Sequence, residues 1–381
     1  FHFHALGYST LEIALLFLFY EFFGIVTNLT GGWLGARFGL RLTLWTGTLL
    51  QIAALLLLIP VSASWPRLWS VAYVMACQAI SGIAKDLNKM SAKGAIKTVV
   101  GDTPGDHGRG QQQLFRWVAI LTGSKNALKG VGFFLGGILL TALGYSRALG
   151  VMACGLSLAF ALTLLLPAGI GRMKQKPPFR ALLAKSTGIN VLSAARLLLF
   201  GARDVWFVVA LPVFLESALG WRFWEVGSFM GLWLIGYGVV QGSAPLLRRC
   251  WGQRNAPTPA AASFWSAVLT AIPALMAMAL WRQAAQPGLA VVVGLTVFGV
   301  VFAMNSSIHS YLVLAYSEQA DVSLNVGFYY MANAAGRLLG TLLSGALFLW
   351  GGLPACLWCS ALLVALSWCC TLRLPPVVRG A

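Results

Sequence analysis

Long runs of apolar residues recur along the whole chain, and they constrain its fold more than any other feature. A helix needs about 20 apolar residues to cross a bilayer, and eleven stretches reach that length. Charged residues make up 10% of the 381 positions, against about a quarter in a soluble domain. The sequence therefore predicts an all-α, multi-pass integral membrane protein. The predicted spans are 10–36, 41–61, 68–92, 114–142, 146–167, 190–214, 223–246, 260–281, 288–316, 322–350 and 353–372.

The chain contains an internal repeat. Residues 6–41 match residues 219–254 at a constant offset of 213, and a second match follows at an offset of 208. The matched pairs include Gly39 with Gly252, Arg41 with Arg254, Lys129 with Arg337 and Gly132 with Gly340. The repeat indicates two homologous halves, as in transporters that are built from structural repeats.

The repeat also predicts the domain boundaries. We expect an N-terminal half at 1–170, a basic cytoplasmic linker at 171–189 and a C-terminal half at 190–381. The span at 190–214 opens the second half and has no counterpart within the first. We therefore expect two six-helix halves, with the first helix missing from this chain.

Basic residues are distributed unevenly between the predicted loops. Lys and Arg concentrate in cytoplasmic loops, so the richer side is predicted to face the cytoplasm. The net charge of +17 is explained by this membrane topology, and no nucleic-acid partner is expected. The poorer side carries Arg67, Arg147, Arg222 and Arg282, and the richer side carries Arg37, Arg41, Lys97, Arg109, Arg172, Lys174, Lys176, Arg180, Lys185, Arg248, Arg249, Arg254, Arg373 and Arg379.

Cations inside the apolar spans are the candidate substrate-binding residues. Each charge costs roughly 2.5–3.5 kcal/mol at a helix centre, so it is expected to face a cavity. Residues four or seven apart share one helix face, which predicts an anion-binding cavity with Lys and Arg from both halves. Snorkelling towards the helix ends is the alternative. The predicted binding residues are Lys85, Lys89, Lys125, Asn126, Lys129, Arg196, Arg203 and Arg337.

Three acidic residues within the spans are candidates for proton coupling. Asp86 and Asp204 each have a neighbouring cation, so they either carry a proton or neutralise that cation. Glu21 has no cation nearby in the sequence, which favours the proton-carrying interpretation for this residue.

Neutral polar residues within the spans allow two interpretations. They line the cavity, or they join helices through hydrogen bonds. Gly130, Gly132, Gly136 and Gly137 have helix-packing spacing, which predicts a close helix contact. The polar residues are Asn28, Asn126, Asn305, Ser306, His309, Tyr311, Tyr329, Tyr330 and Asn333.

No motif predicts catalysis. Cys356 and Cys359 have the spacing of a metal-binding pair, but no second pair and no nearby His accompany them. Nucleophile elbows, phosphate-binding loops and zinc-protease motifs do not occur. We expect neither an enzyme, nor a metal site, nor a cofactor.

The segment at 32–41 resembles the signature loop of the major facilitator superfamily. It departs from that pattern at Ala36, where Asp is usual, and at Leu40, where a basic residue is usual. The resemblance implies the major facilitator fold and a conformational role for this loop. The residues that match are Gly32, Arg37, Gly39 and Arg41.

Four blocks resemble a narrower family, the organoarsenical efflux transporters of bacterial arsenic-resistance operons. They are residues 17–28, 81–93, 117–137 and 193–206, and the likeness covers nearly the whole chain. It implies an antiporter in the bacterial cytoplasmic (inner) membrane that exports 1-arseno-3-phosphoglycerate. Glyceraldehyde-3-phosphate dehydrogenase, which makes this ester from arsenate, is the implied functional partner. An exporter of another organic phosphate, a proton-coupled drug exporter and a non-transporting receptor or scaffold are the alternatives.

Overall fold

The computed structural model describes residues 18–62, 64–100, 107–166, 182–183, 185–282, 285–318 and 321–377. Within these ranges the chain forms eleven helices and no strand, which confirms the all-α prediction. Eight helical segments of the described chain are long and apolar enough to cross a membrane. The helices are α1 Leu18–Phe38, α2 Leu40–Leu58, α3 Arg67–Val100, α4 His107–Leu143, α5 Tyr145–Thr163, α6 Thr187–Phe207, α7 Ala210–Ser217, α8 Phe223–Cys250, α9 Pro259–Trp281, α10 Pro287–Ala315 and α11 Val322–Thr371.

The division into helices differs from the predicted spans in two places, and the number of spans stays a prediction. In addition, α3 ends at Val100 and α4 begins at His107, beyond the predicted bounds of 92 and 114. The span at 190–214 is divided into α6 and α7 around Val208. Pro212 lacks the N–H that would bond to the Val208 carbonyl, and its ring would clash with that carbonyl in a continuous helix. Conversely, α11 contains two predicted spans, which meet at the non-helical residues Gly351 and Gly352.

Glycines with positive φ mark the ends of helices at repeat-related positions. Gly39 (φ 95°) and Gly252 (φ 75°) are related by the offset of 213, and Gly144 (φ 74°) and Gly352 (φ 62°) by the offset of 208. Side chains other than glycine rarely adopt this backbone region. The internal repeat is therefore visible in the backbone as well as in the sequence.

The contacts divide the chain into two compact units. Unit 1 comprises Phe1–Thr98, Leu135–Ala184 and Gln319–Ala334, and unit 2 comprises Val99–Phe134, Lys185–Glu318 and Ala335–Ala381. Each unit takes segments from both predicted halves. The half boundaries at 170 and 190 stay a prediction, and most of the predicted linker lies outside the described residues.

In unit 1, α1 crosses the start of α11 at two glycines. A Cβ atom on Gly32 would lie 2.6 Å from the Ser323 carbonyl oxygen and 2.9 Å from the Gly327 Cα atom. A small cluster of Ala36, Leu182 and Leu324 is buried in the same unit. Small residues are typical of such close crossings, because helices in a membrane associate through packing.

In unit 2, α4 crosses α8 in the same manner. A Cβ atom on Gly123 would lie 2.5 Å from the Gly238 carbonyl oxygen. Gly130 likewise meets the backbone of Gly231. No described atom of another helix lies within 4 Å of the Cβ positions of Gly132, Gly136 and Gly137, so the described helices do not pack closely against these three glycines.

The core of unit 2 is aromatic. The Trp206 ring packs edge-on against Phe298, with centroids 5.1 Å apart, and against Trp233 at 6.0 Å. Phe298 stacks in turn on Phe302, and Trp233 on Tyr237. These rings lie on α6, α8 and α10, and they hold together the three helices that carry the polar groups described next.

Candidate functional site

Asp204 in unit 2 lies between two arginines. One carboxylate oxygen is 2.6 Å from NH2 of Arg203, and the other is 3.2 Å from Nε of Arg337. Asp204 is 1% exposed, whereas Arg203 and Arg337 are 13% and 26% exposed. We call these three residues the arginine cluster. It holds two positive charges for one negative charge.

Glycines bring the arginine cluster together. A Cβ atom on Gly340 would lie 2.6 Å from the Gly201 carbonyl oxygen and 3.0 Å from the Asp204 Cβ atom. The backbones of α6 and α11 therefore approach closely at this point, which places Arg337, one helical turn before Gly340, beside Asp204. The Arg203 guanidinium lies 4.7 Å from the centre of the Phe200 ring, a cation–π contact that supports its position.

Arg196 belongs to a second polar group in unit 2. It is 2% exposed, and its NH1 group donates to the Ser306 hydroxyl at 3.0 Å. Tyr237 and Gln241 also contact that hydroxyl, at 3.3 and 3.2 Å. The Arg196 guanidinium lies 3.9 Å from the centre of the Phe200 ring. The buried guanidinium thus contacts Ser306 and Phe200, and Tyr237 and Gln241 hold the Ser306 hydroxyl in place.

Gln241 links this group to α4. Its side-chain oxygen accepts a hydrogen bond of 2.5 Å from Asn126, and the residue is fully buried. Pro245 cannot donate to the Gln241 carbonyl one turn earlier, and the Ser307 hydroxyl reaches that carbonyl at 3.5 Å. The sequence reasoning did not select Gln241, although it lies at the offset of 213 from Asn28, which is also fully buried.

Other buried polar atoms in unit 2 have unused hydrogen-bonding capacity. Neither ring nitrogen of His309 has a partner in the described part of the chain, and the residue is fully buried. Asn305 donates to Ser266 at 2.9 Å, while its side-chain oxygen has no described partner. Buried polar groups are usually hydrogen-bonded to protein or to water, so this region suits a hydrated or ligand-binding cavity.

The interpretation that neutral polar residues join helices finds examples in unit 2, and cavity lining stays a prediction. Asn126, Asn305 and Ser306 form hydrogen bonds between helices, and Tyr311 donates to Gln111 at 2.8 Å. His309 has no such bond. Of the lysines predicted on α4, Lys125 is half-buried and Lys129 is exposed.

Asp86 in unit 1 has a lysine partner on the same helix. Its carboxylate is 2.7 Å from the Lys89 ammonium, which in turn lies 4.3 Å from the centre of the Tyr330 ring. Asp86 is 2% exposed and Lys89 12%. A Cβ atom on Gly24 would lie 2.8 Å from the Asp86 carboxylate, so the backbone of α1 passes directly beside the acid. We call Asp86 and Lys89 the lysine pair.

The remaining predicted residues of unit 1 lie on α1 and α3. Glu21 is buried on α1, and Lys85 is half-buried on α3. Asn28 donates to the Gly24 carbonyl at 2.5 Å, and its side-chain oxygen has no hydrogen-bond partner among the described residues. Unit 1 thus contains two buried carboxylates, Glu21 on α1 and Asp86 on the adjacent helix α3.

The predicted conformational loop places its arginines on aromatic rings. Arg41 lies 4.2 Å from the centre of the Trp45 ring and donates to the Leu164 carbonyl at 3.1 Å. Arg37 lies 5.1 Å from the centre of the Trp33 ring. The loop therefore ties the start of α2 to the end of α5.

The described residues contain no group of three His, Cys, Asp or Glu side chains that could hold a metal ion. Cys356 is fully buried, and its thiol lies 3.7 Å from the Ser344 carbonyl oxygen. This contact is a packing arrangement within α11.

No protein-family model matches the chain, and no curated protein matches it. Solved structures do match. The human organic anion transporter MFSD10 (TETRAN) has a TM-score of 0.70 at 16% identity, covering 93% of this chain and 83% of that one. A bacterial homologue of the iron transporter ferroportin, in its outward-facing state, has a TM-score of 0.73 at 12% identity, covering 97% and 92%. The proton:xylose symporter XylE has a TM-score of 0.73 at 13% identity, covering 95% of this chain and 86% of that one.

These similarities establish the fold. XylE is described as a major facilitator superfamily protein, and the chain has the major facilitator fold that the segment at 32–41 predicts. The other two neighbours are described as an organic anion transporter and as a homologue of an iron transporter.

Proposed function

We propose that this chain, with its major facilitator fold, is a secondary active transporter that exports an organic anion across the bacterial cytoplasmic membrane. Fold neighbours described as transporters support the general activity, and one is described as an organic anion transporter. The likeness of residues 17–28, 81–93, 117–137 and 193–206 to organoarsenical exporters narrows the anion to 1-arseno-3-phosphoglycerate. Its export would confer resistance to arsenate.

The arginine cluster is the observation that carries this proposal. Asp204 fixes Arg203 and Arg337 by ion pairs, and the three side chains still sum to one net positive charge. Arg203 is partly exposed, so its remaining N–H groups can reach a solute. The planar guanidinium fork matches phosphate, arsenate and carboxylate oxygens through parallel hydrogen bonds. An anion with several such groups is the class of substrate that this arrangement favours.

The other proposed binding residues have supporting roles. In unit 2, Arg196 and Asn126 are joined through Ser306 and Gln241, which orients both side chains. Lys125 and Lys129 on α4 and, in unit 1, Lys85 and Lys89 complete the proposed set. Long lysine side chains reach a solute without a fixed geometry, whereas the buried amides and guanidinium provide orientation.

Coupling to protons is assigned to the acids that are not enclosed by arginines. Asp204 is bound by two guanidiniums, which suits a positioning role. Glu21 and Asp86 are the proposed proton carriers, with the loop residues Arg37 and Arg41 contributing to the conformational change. An antiporter that exchanges protons for the organic anion follows from this assignment.

The ion pairs argue against a proton-coupled drug exporter. A site for cationic drugs requires buried carboxylates that are available to the drug. The two most deeply buried carboxylates of the described chain, Asp86 and Asp204, are both in contact with cations of the protein. Another organic phosphate would fit the arginine cluster by the same chemistry.

Transport into everted membrane vesicles tests the proposal. Vesicles that contain the full protein receive labelled arsenate, with or without glyceraldehyde-3-phosphate dehydrogenase, glyceraldehyde 3-phosphate and NAD. We expect uptake of label to require the complete dehydrogenase mixture, because the ester and not arsenate is the proposed substrate. Vesicles without the protein provide the background, and vesicles with Arg282→Gln, an exposed arginine that directly follows α9, provide the matched variant.

Two results would count against the proposal. Equal uptake of arsenate with and without the dehydrogenase mixture would exclude the ester as the required substrate. Uptake that is stimulated by the mixture but unchanged in Arg203→Gln and Arg196→Gln would remove these two arginines from the binding site, and the arginine cluster would no longer support the proposal.

A further inference from the structure

Four arginines surround the C-terminal end of α8 and the loop that follows. Two adjoining cavities lie there, of about 230 and 350 Å³, and both are lined by Arg248 and Arg254. Arg116 on α4 and Arg249 also line the smaller cavity. All of these residues belong to unit 2. No carboxylate of the described residues lines either cavity.

Backbone hydrogen bonds already satisfy the end of α8. Gly252 adopts positive φ, its N–H donates to the Arg249 carbonyl at 3.0 Å, and the Gln253 N–H donates to the Arg248 carbonyl at 2.9 Å. This is the glycine-terminated helix end in which the last carbonyls are bound by the turning chain. The arginine side chains are therefore not needed to cap these carbonyls.

Arg248 is buried in a way that a solvated helix end does not explain. It is 5% exposed, and neither Nε nor NH1 has a hydrogen-bond partner in the described chain. NH2 donates to the Asn255 carbonyl at 3.4 Å, and the guanidinium lies 5.9 Å from the centre of the Phe115 ring. Burying a cation whose donors are unsatisfied costs free energy. A bound anion would recover that cost.

We propose that Arg248, Arg254, Arg249 and Arg116 form a binding site for a phosphate group, separate from the arginine cluster. The Nε and NH1 groups of Arg248 are unsatisfied donors within the described part of the chain. Each shares an edge of the guanidinium with NH2, and such an edge matches two phosphate oxygens. Three exposed arginines add charge around it. The phosphate belongs either to the headgroup of an anionic phospholipid, which the predicted cytoplasmic leaflet supplies, or to a soluble phosphate compound. This inference does not depend on the transported substrate.

Ligand-dependent thermal unfolding of the full purified chain tests the site. The protein is placed in nanodiscs of phosphatidylcholine, either alone or with added phosphatidylglycerol, and the first preparation is titrated with inorganic phosphate at constant ionic strength. We expect phosphatidylglycerol, inorganic phosphate or both to raise the unfolding temperature. A rise with phosphatidylglycerol alone identifies the lipid headgroup as the source, and a rise with inorganic phosphate identifies the soluble source.

Two variants connect the effect to the site. Arg248→Met should raise the unfolding temperature of the ligand-free protein, because it removes a buried charge, and should abolish the ligand-dependent rise. Arg254→Gln changes an exposed side chain, and it should weaken apparent phosphate binding about tenfold, as expected for the loss of a charged hydrogen bond. If Arg248→Met lowers the folded yield, Arg254→Gln decides the question.

Arg282→Gln is the matched control, since it removes an equally exposed arginine at the end of α9 and should keep the full ligand effect. Three outcomes would overturn the proposal: no rise with either probe, a rise that survives in both site variants, or a rise that Arg282→Gln reduces equally. Loss of the effect in Arg203→Gln instead would assign the phosphate to the arginine cluster, which would also overturn it.

Discussion

Asp86 in unit 1 and Asp204 in unit 2 are almost equally buried, at 2% and 1% exposed, but different cations surround them. Asp86 contacts Lys89, and the two charges balance. Asp204 contacts Arg203 and Arg337, so these three side chains carry one net positive charge. The comparison shows that one type of buried acid serves two purposes. In unit 1 the carboxylate neutralises one lysine. In unit 2 the carboxylate holds two arginines close together, although their like charges repel each other.

The largest effect is expected for Asp204→Asn. This change leaves two neighbouring guanidiniums without their shared carboxylate, and breaking a buried ion pair on one side costs about 3–5 kcal/mol. We expect little folded protein, measured by size-exclusion chromatography of detergent extracts and by thermal unfolding. Glu216→Gln on the adjacent helix α7 removes an exposed carboxylate and should leave both readouts unchanged. A stable Asp204→Asn protein would show that the two arginines do not need the acid.

Asp86→Asn should be less costly than Asp204→Asn. Lys89 keeps its contact with the Tyr330 ring, and its long side chain is more adaptable than a guanidinium fixed on a carboxylate. The loss is expected to be about 1.5–3 kcal/mol, the range for a hydrogen bond to a charged group. Thermal unfolding of Asp86→Asn, Lys89→Met and the double variant measures it.

The double variant provides the control for the lysine pair. It removes both charges of the pair, so its destabilisation should be smaller than the sum of the two single changes. Additive destabilisation by the two changes would contradict a direct interaction between Asp86 and Lys89.

Each unit contains a place where two helices cross at glycines, and substitutions there test whether this packing is equally important in both units. Gly32→Ala in unit 1 and Gly123→Ala in unit 2 each force a methyl group against a neighbouring backbone, at 2.6 and 2.5 Å. Overpacking of this kind costs about 1–3 kcal/mol, and thermal unfolding should show similar losses for both. Gly132→Ala on the same helix as Gly123 meets no described atom within 4 Å and should be neutral or stabilising. A loss confined to one unit would mean that the crossings are not equivalent.

The sequence predicted the helices well because the length of an apolar run is set by the bilayer. Most helix ends lie within a few residues of the predicted bounds. Pro212 could have predicted the break after Phe207, but the continuous apolar run favoured a single span. The glycines at 39, 144, 252 and 352 could be paired from the repeat alone. The positions of the helices thus depend on local sequence, that is, on the apolar runs and on the glycines and prolines that end them.

The candidate site was less predictable, because its contacts join distant segments. Asp204 and Arg203 are adjacent in the sequence, but Arg337 reaches the same carboxylate from 133 residues away. The repeat related Arg337 to Lys129 and gave no information about which acid it contacts. Arg248 was placed in a basic cytoplasmic loop by its charge, and its burial depends on the packing of α4 against α8, which no local pattern reveals.

The smallest effect on folding is expected for Arg203, and this change connects the comparison to transport. Arg203→Gln converts the arginine cluster into a balanced pair of Asp204 and Arg337, the charge arrangement of Asp86 and Lys89. Because Asp204 keeps one partner, the amount of folded protein should remain close to that of the unchanged chain. Export of the arseno-ester should fall about tenfold or more, as expected for the loss of a charged hydrogen bond to the anion.

Arg203→Lys separates charge from geometry at the same position. Lysine keeps the positive charge of the cluster, but it lacks the planar fork that grips two oxygens, so export should be intermediate between the unchanged protein and Arg203→Gln. Transport is measured in everted vesicles and divided by the amount of folded protein in the same membranes. If Arg203→Gln lowers the folded amount and the transport in proportion, Arg203 only stabilises Asp204, and the positive excess of unit 2 has no part in substrate binding.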